Sequence, residues 1–525
     1  MQSVSGNFTA ASAAGQRRKL KSRVAMSFLK TYTPGTNFFT IGVSSIGGPD
    51  IIKGTGSVVQ EWDKYNYVDY SKRVLSFEYD REFSLDPNVP VILAMADIVL
   101  DNSDDYFTLS NASSPINGFM LPQRPVKIYT GFDNEMVQVF VGVTDGMPTF
   151  DEIAKTVTFH CIDFLYTLLN TPLDNDVILV NNRTDQLVGN LLQFAGMSAA
   201  QYIADVGTVT IPFFFAPKGS VLSDVIKQIV QSELGRLYMD ENGMITFENR
   251  TNWQTGHNAI VGTINRRNSL SFETRTQDDI INVVTVTSNA RAVQAKQKIW
   301  EQTSAQLIPA GGSLDIFADI SDADGALPTT TFDTPLFITG ATTSLYNANT
   351  AQDGSGNTIS AGIGLSVTPF STSYKMTFSN SNAFAVYITQ IEVWGTPAKV
   401  TNRVYIRAEN TASTNIYDEK LVNITNDYIQ DAGAANSIAN IIIADLATLN
   451  AKRKGKIVGL PQLQIADRVN FQDQVATRTS FITGINGIFS TQDGFVQNIT
   501  HVERAITKYF TIGVSSIGGS DKIAP

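Results

Sequence analysis

Along most of this 525-residue chain, apolar and polar residues alternate with the two-residue period of half-buried strands. Between about 57 and 170 the pattern predicts strands at Val74–Tyr79, Asp97–Leu100, Val126–Tyr129, Val137–Val143 and Thr156–Ile162. Turn signals at Asp86-Pro87-Asn88, Asn117-Gly118 and Asp145-Gly146 separate them, as in a small barrel or sandwich. From 171 to 252 the period lengthens. Leu187, Val188, Leu191 and Leu192 share a helical face behind Thr184, the expected N-cap. Val221, Leu222, Val225, Ile226, Ile229 and Val230 share another, with Gly235 as its expected stop. Arg236–Met239 and Met244–Phe247 then flank Asn242-Gly243, a strong hairpin signal.

Strands resume at Ile280–Val286. From Thr329 to Pro397 only Asp333, Asp353, Lys375 and Glu392 are charged, while aromatic and β-branched residues recur. That composition predicts an inserted β-sandwich over 307–397. Beyond it come strands at Val404–Ile406 and Leu421–Ile424. A helix follows, with Ile438, Ile441, Ile442, Leu446 and Leu449 on one face. Lys452, Arg453 and Lys454 are expected at its negative end and Gly455 as its stop. The last strands are Arg468–Phe471, Ser480–Ile485 and Val496–Val502. They echo the first block: Arg124–Ile128 resembles Asp467–Phe471, Phe140–Val143 resembles Phe481–Ile485, and each block ends in a strand with one histidine, His160 or His501.

The expected fold is therefore mainly β with a small α/β domain: two related small β-barrels, the α/β domain and an inserted β-sandwich. The expected divisions are an arm over 1–57, a first barrel over 58–170 and the α/β domain over 171–252. A second, discontinuous barrel with one helix takes 253–306 and 398–507 around the insert at 307–397, and 508–525 is a tail.

One peptide occurs twice. Phe39–Asp50 and Phe510–Asp521 agree at eleven of twelve positions, and both alternate apolar with small residues before Gly-Gly. They read as two equivalent docking strands. Phe39, Ile41 and Val43, and likewise Phe510, Ile512 and Val514, would fill alternate pockets of one partner by strand addition. The competing reading is a duplicated edge strand that only closes a sheet.

The formal net charge is −10, so the molecule as a whole is not built to grip nucleic acid. Cys161, the one cysteine, excludes an intrachain disulfide and reads as a buried, inert thiol. No apolar run approaches the ~20 residues of a membrane helix, and the basic cluster of Arg17, Arg18, Lys19, Lys21 and Arg23 lies too late for a secretory signal. The histidines are His160, His257 and His501; there is no HExxH pair, no phosphate-binding GxxxxGK[ST] loop and no GxSxG elbow. No catalytic residue, cofactor or metal is expected. The Asp101–Asp105 turn has the oxygens for a hard cation, or for satisfying its own backbone.

Three stretches resemble the tail hub and baseplate hub proteins of tailed bacteriophages. They are Ala96–Phe107 with Leu121–Val126, Gly235–Glu248, and Leu460–Val469, where the family usually has Gly before Asp467 and this chain has Ala466. The resemblance covers about 57–300 and 400–507. It implies a non-enzymatic homotrimer at the virion tail tip, whose paired barrels match a six-fold tube. The expected partners are the tail tube or distal tail protein, the tape measure protein and tail fibre or adaptor proteins, with DNA passing through the channel unbound and no membrane contact. Two other readings stay open. A receptor- or carbohydrate-binding protein would use Phe337, Tyr346, Phe370, Tyr374 and Trp394 of the insert as a stacking face. A hydrolase would use unmarked carboxylates.

Overall fold

The computed structural model describes residues 2–13, 20–29, 65–84, 86–132, 135–252, 256–257, 259–276, 280–323, 325–338, 342–448, 451–458, 460–472 and 477–503. The fold is mainly β, as expected. A first set of strands comprises β1 (Lys21–Met26), β2 (Val74–Glu82), β3 (Ala94–Asp101), β4 (Pro125–Phe132), β5 (Glu135–Thr144), β6 (Thr149–Asp151) and β7 (Thr156–Ile162). The α/β segment follows with α1 (Phe164–Leu169), β8 (Val177–Arg183), α2 (Thr184–Phe194), β9 (Thr210–Ala216), α3 (Leu222–Ser232) and the hairpin β10 (Arg236–Met239)–β11 (Ile245–Glu248). Next come β12 (Ile260–Ile264), β13 (Ser269–Thr276) and β14 (Val283–Val293). A module of two sheets then includes β15 (Ser313–Asp319), β16 (Ile363–Pro369) and β17 (Ser373–Asn380) and ends in the long β18 (Val386–Glu409). The chain closes with β19 (Leu421–Thr425), α4 (Ala432–Leu446), β20 (Ala451–Ile457), β21 (Arg468–Gln472), β22 (Thr477–Ser490) and β23 (Gly494–Glu503).

The two blocks expected to form barrels contribute strands to one 14-stranded sheet. Its path runs β13-β20-β23-β22-β2-β3-β7-β5-β4-β1, with β21 on β22 and β12 on β21. The two halves repeat each other. In the first, β2 pairs with β3, β3 with β7, β7 with β5 and β5 with β4. In the second, β13 pairs with β20, β20 with β23, β23 with β22 and β22 with β21. The register agrees residue by residue. Val143 and Thr144 stand opposite Ile162 and Cys161, as Phe481 and Ile482 stand opposite Val502 and His501. Ala96 stands opposite Cys161, as Arg453 stands opposite His501. One shared core runs through both halves, from Val24, Phe77 and Phe159 to Ile264, Val469 and Ile499.

Several local expectations change. Thr184 opens α2 rather than capping it, and its buried hydroxyl donates to Glu233; Arg183 holds the cap position, with its N–H donating to Gln186 Oε1 at 3.0 Å. Leu234, not Gly235, takes the left-handed conformation after α3, with φ 54°. Gly235 is needed for closeness instead, since a Cβ there would lie 2.7 Å from the Glu248 carbonyl. Lys452, Arg453, Lys454 and Gly455 do not end α4. They lie inside β20, because their ladder with β23 outweighs the end-of-helix signal. The strands β14 and β19, the end of β18 and α4 share a separate core of Val284, Val286, Ile424, Ile438 and Ile442. They thus stand apart from the second barrel's sheet. The module's interior holds Tyr346, Tyr374, Met376, Phe378 and Val393.

Candidate assembly surface

The seam between the halves is an antiparallel ladder from Ser76↔Ser490 to Glu82↔Gly484. Phe77 stacks on Phe489 across it, ring centroids 5.2 Å apart. Gly487 lies against Tyr79, where a Cβ would come within 2.1 Å of the ring. β2 alternates strictly toward its end: Phe77, Tyr79 and Arg81 are buried, while Glu78, Asp80 and Glu82 face water. An open groove of about 610 Å³ follows the seam, lined by those three acids, Glu273, Lys454, Lys456 and Asn486. Although Asp80 reaches water, the groove walls partly desolvate it, and this, with Glu82 and Glu78 beside it, raises its carboxyl above the usual range. Asn486 donates to Glu78 at 2.6 Å.

Behind the seam, Arg81 reaches the turn of the α/β hairpin. Its guanidinium donates to Glu241 at 2.7 Å and to the Met239 carbonyl at 3.2 Å, all buried. Gln464, from the loop before β21, also donates to Glu241, and Gln138 of β5 donates to the Glu241 carbonyl. One glutamate thus ties both halves of the sheet to the hairpin. Burial pushes its carboxyl up, against the opposing pull of Arg81. Nearby Asp163 caps α1, accepting from Tyr166 N–H at 3.0 Å and from Ala94 N–H at 2.8 Å, yet burial lifts it to about 6. This clustering of ionisable groups is a structural network at a three-way junction.

The predicted docking residues Phe39, Ile41, Val43, Phe510, Ile512 and Val514 lie outside the described residues. The Asp101–Asp105 turn spends its oxygens locally. Asp101 accepts from Ser103 N–H, Asn102 from Phe107 N–H, and Asp104 takes both arms of Arg73 at 2.8 and 2.7 Å. Cys161 is buried, and burial pushes its thiol up. The histidines part company: His160 lies exposed, its Nδ1 2.6 Å from Asp97 Oδ1, His257 bonds Glu248 at 2.9 Å, and His501 is buried. In the insert, Tyr346 and Tyr374 are core and Phe337 packs against that core, so they form no open stacking face; Phe370 is exposed. Among the described residues, no helix is long and apolar enough to cross a membrane.

Sequence reasoning missed one signal. Leu75-Ser76-Phe77-Glu78 recurs as Leu270-Ser271-Phe272-Glu273. The two quartets fall at the same place, since Ser76 pairs with Val99 and Ser271 with Lys456, themselves equivalent positions. A search for short internal repeats would have found it.

The solved structures to which the chain is similar include phage tail and baseplate proteins, the class its motifs resemble, and a component of a type VI secretion system. One is the 43 kDa tail protein of prophage MuSo2 from Shewanella oneidensis, at 10% identity and TM-score 0.42, covering 83% of this chain and 95% of that one. Another is the tail protein from Neisseria meningitidis MC58, at 9% identity and TM-score 0.45, covering 85% and 95%. A third is the phage P2 baseplate in its activated conformation, at 11% identity and TM-score 0.29, covering 92% and 98%. No family model matches the chain, and no curated protein does.

Proposed function

We propose that the chain is the structural hub of a bacteriophage tail tip, assembling as a homotrimer around a channel for DNA. The observation that carries this is the internal repeat. Two equivalent barrels fused in one sheet let three chains present six similar units to a six-fold tail tube. The acidic row Glu78, Asp80 and Glu82 and the net charge of −10 suit a duct through which phosphates slide without sticking. The upper face meets the tail tube or distal tail protein and the tape measure protein. The twin peptides at Phe39–Asp50 and Phe510–Asp521 anchor tail fibre or adaptor proteins, and the module around β15–β17 is a separable outward attachment. No step of this role needs catalysis. Reading the module as a glycan binder loses its aromatic platform, because Tyr346 and Tyr374 are spent on the core.

Native mass measurement of the full chain tests the assembly, with three copies expected; a stable dimer or tetramer would exclude it. Changing Ile41 and Ile512 to Asp together should keep that mass and abolish attachment of the fibre or adaptor proteins. Unchanged attachment would remove the docking role.

A further inference from the structure

The seam inside the chain has a counterpart that a single chain leaves open. β2 gives its outer edge to residues 484–490 of β22. β13, the counterpart of β2, pairs only with β20 among the described residues. The counterpart of 486–488 is β6. Thr149 and Asp151 stand opposite Thr158 and Thr156 of β7, as Asn486 and Ile488 stand opposite Asn498 and Val496 of β23. Among the described residues β6 pairs only with β7, so its other edge is also open. Unpaired edges are templates for another strand.

We propose that these edges join between copies: β13 of one chain pairs antiparallel with β6 of the next, repeating in trans the ladder that β2 and β22 form in cis. This rests on the hub reading above and gives it an interface. A head-to-tail contact of this kind closes into a ring or runs on as a filament, and the repeat within the chain sets the rotation per barrel.

Exposed apolar residues support the match independently. Ile153, in the turn after β6, is 97% exposed, and Leu270, at the start of β13, is 48% exposed. Within the chain, Thr491 N–H in the β22–β23 turn donates to the Leu75 carbonyl at 3.1 Å. Leu270 is the counterpart of Leu75 and Ala154 that of Thr491. Ala154 N–H already donates to Asp151 Oδ1 at 2.8 Å within the chain, so the trans ladder brings Leu270 beside the turn that carries Ile153 without that backbone hydrogen bond. Two side chains left in water by one copy then cover each other. Side-chain volumes also balance. In cis Tyr79 stands opposite Gly487; in trans Thr274 stands opposite Phe150, a small residue facing a large one again. One step away Glu273 stands opposite Asp151, a like-charged rung that weakens the ladder, although Asp151 Oδ1 is occupied by the Ile153 and Ala154 N–H groups.

Paired cysteines test the register in the full-length protein. Glu273→Cys with Asp151→Cys, and Thr274→Cys with Phe150→Cys, sample adjacent rungs, whose Cα separations alternate in an antiparallel ladder. Glu78→Cys with Ile488→Cys is the control and should close within one chain. After mild oxidation, at least one trans pair should give covalent species of two and three chains and none larger, about tenfold above the single-cysteine variants. Ile153→Asp in that background should cut the yield several-fold. The native mass separates the two layers of inference. If three chains assemble but neither pair links above the single-cysteine level, these edges do not meet, although the hub reading stands. If the mass is not that of three chains, both fall together. Covalent species beyond three would mean an open filament and overturn ring closure.

Discussion

The two halves of the 14-stranded sheet share a strand order, a register and a four-residue peptide, but their fillings differ. At matched sites the first has Ala96 and Cys161 where the second has Arg453 and His501, and all four are buried. The outward faces differ too. Met95, Asp97 and Val99 of β3 correspond to Lys452, Lys454 and Lys456 of β20, beside a β2 that carries Glu78, Asp80 and Glu82. The frame is thus set by backbone pairing, and the side chains are free to vary wherever the space and a partner allow. In the second barrel aromatic rings provide the partner: Arg453 lies over Phe471 at 5.6 Å, and His501 packs 5.3 Å from that same ring.

The largest asymmetry is Arg81, whose counterpart in the second barrel is Thr276. Arg81 faces the buried Glu241 of the α/β hairpin, and that contact is what calls for a cation at this position. Arg81→Thr would make the halves alike but leave Glu241 buried without its guanidinium. Removing one member of a buried ion pair costs about 3–5 kcal/mol. Urea unfolding should show a loss of that size, and a loss below about 1 kcal/mol would mean that Glu241 is content with Gln464 and its neutral form.

How much of this was legible beforehand follows from where the information lies. Period-two alternation gave the strands of both barrels, and Asn242-Gly243 gave the hairpin, because those signals are local. The helix-ending basic run failed at Lys452–Gly455 for the same reason: the local pattern suits a C-terminus, but a long-range ladder with β23 decided otherwise. The Arg81–Glu241 contact joins residues 160 apart and left no mark in either neighbourhood. The twin peptides Phe39–Asp50 and Phe510–Asp521 stand out by repetition and lie outside the described residues.

His501 gives the second prediction, smaller and confined to acid. Neither ring nitrogen has a hydrogen-bond partner among the described residues. Burial, with Arg453 adding to it, holds the imidazole down at about 4. An unfolded histidine binds its proton near pH ~6.5. Between those values the unfolded chain holds more protons than the folded one, so stability is complete above about 6.5 and falls as pH drops toward 4. The loss should be on the order of 3 kcal/mol, at about 1.36 kcal/mol per pH unit. His501→Cys, which copies Cys161 of the first barrel, should flatten that part of the stability–pH curve. An unchanged slope would assign the acid sensitivity to other groups.

The finest difference lies at two equivalent residues in the left-handed region. Gln123 has φ 59° and donates its N–H to the Thr144 carbonyl; Ala466 has φ 72° and donates its N–H to the matching Ile482 carbonyl. Both precede the strand that starts each barrel's second hairpin, and both strain an L-residue by about 1–2 kcal/mol. Glycine would relieve that strain while adding roughly 0.5–1 kcal/mol of chain entropy to be lost on folding. The exposed Gln123 has no packing to give up, so Gln123→Gly should stabilise by about 0.5–1 kcal/mol. Ala466 is 1% exposed and packs with Phe83, Ile92 and Phe481. Losing its buried methyl costs about 0.8 kcal/mol, which cancels the gain. Ala466→Gly should therefore fall within about 0.5 kcal/mol of neutral. That balance explains how alanine stands at a position where the resembled family usually has glycine. Paired urea midpoints decide it: equal stabilisation at both sites would show that the methyl contributes nothing, and that strain alone distinguishes the two turns.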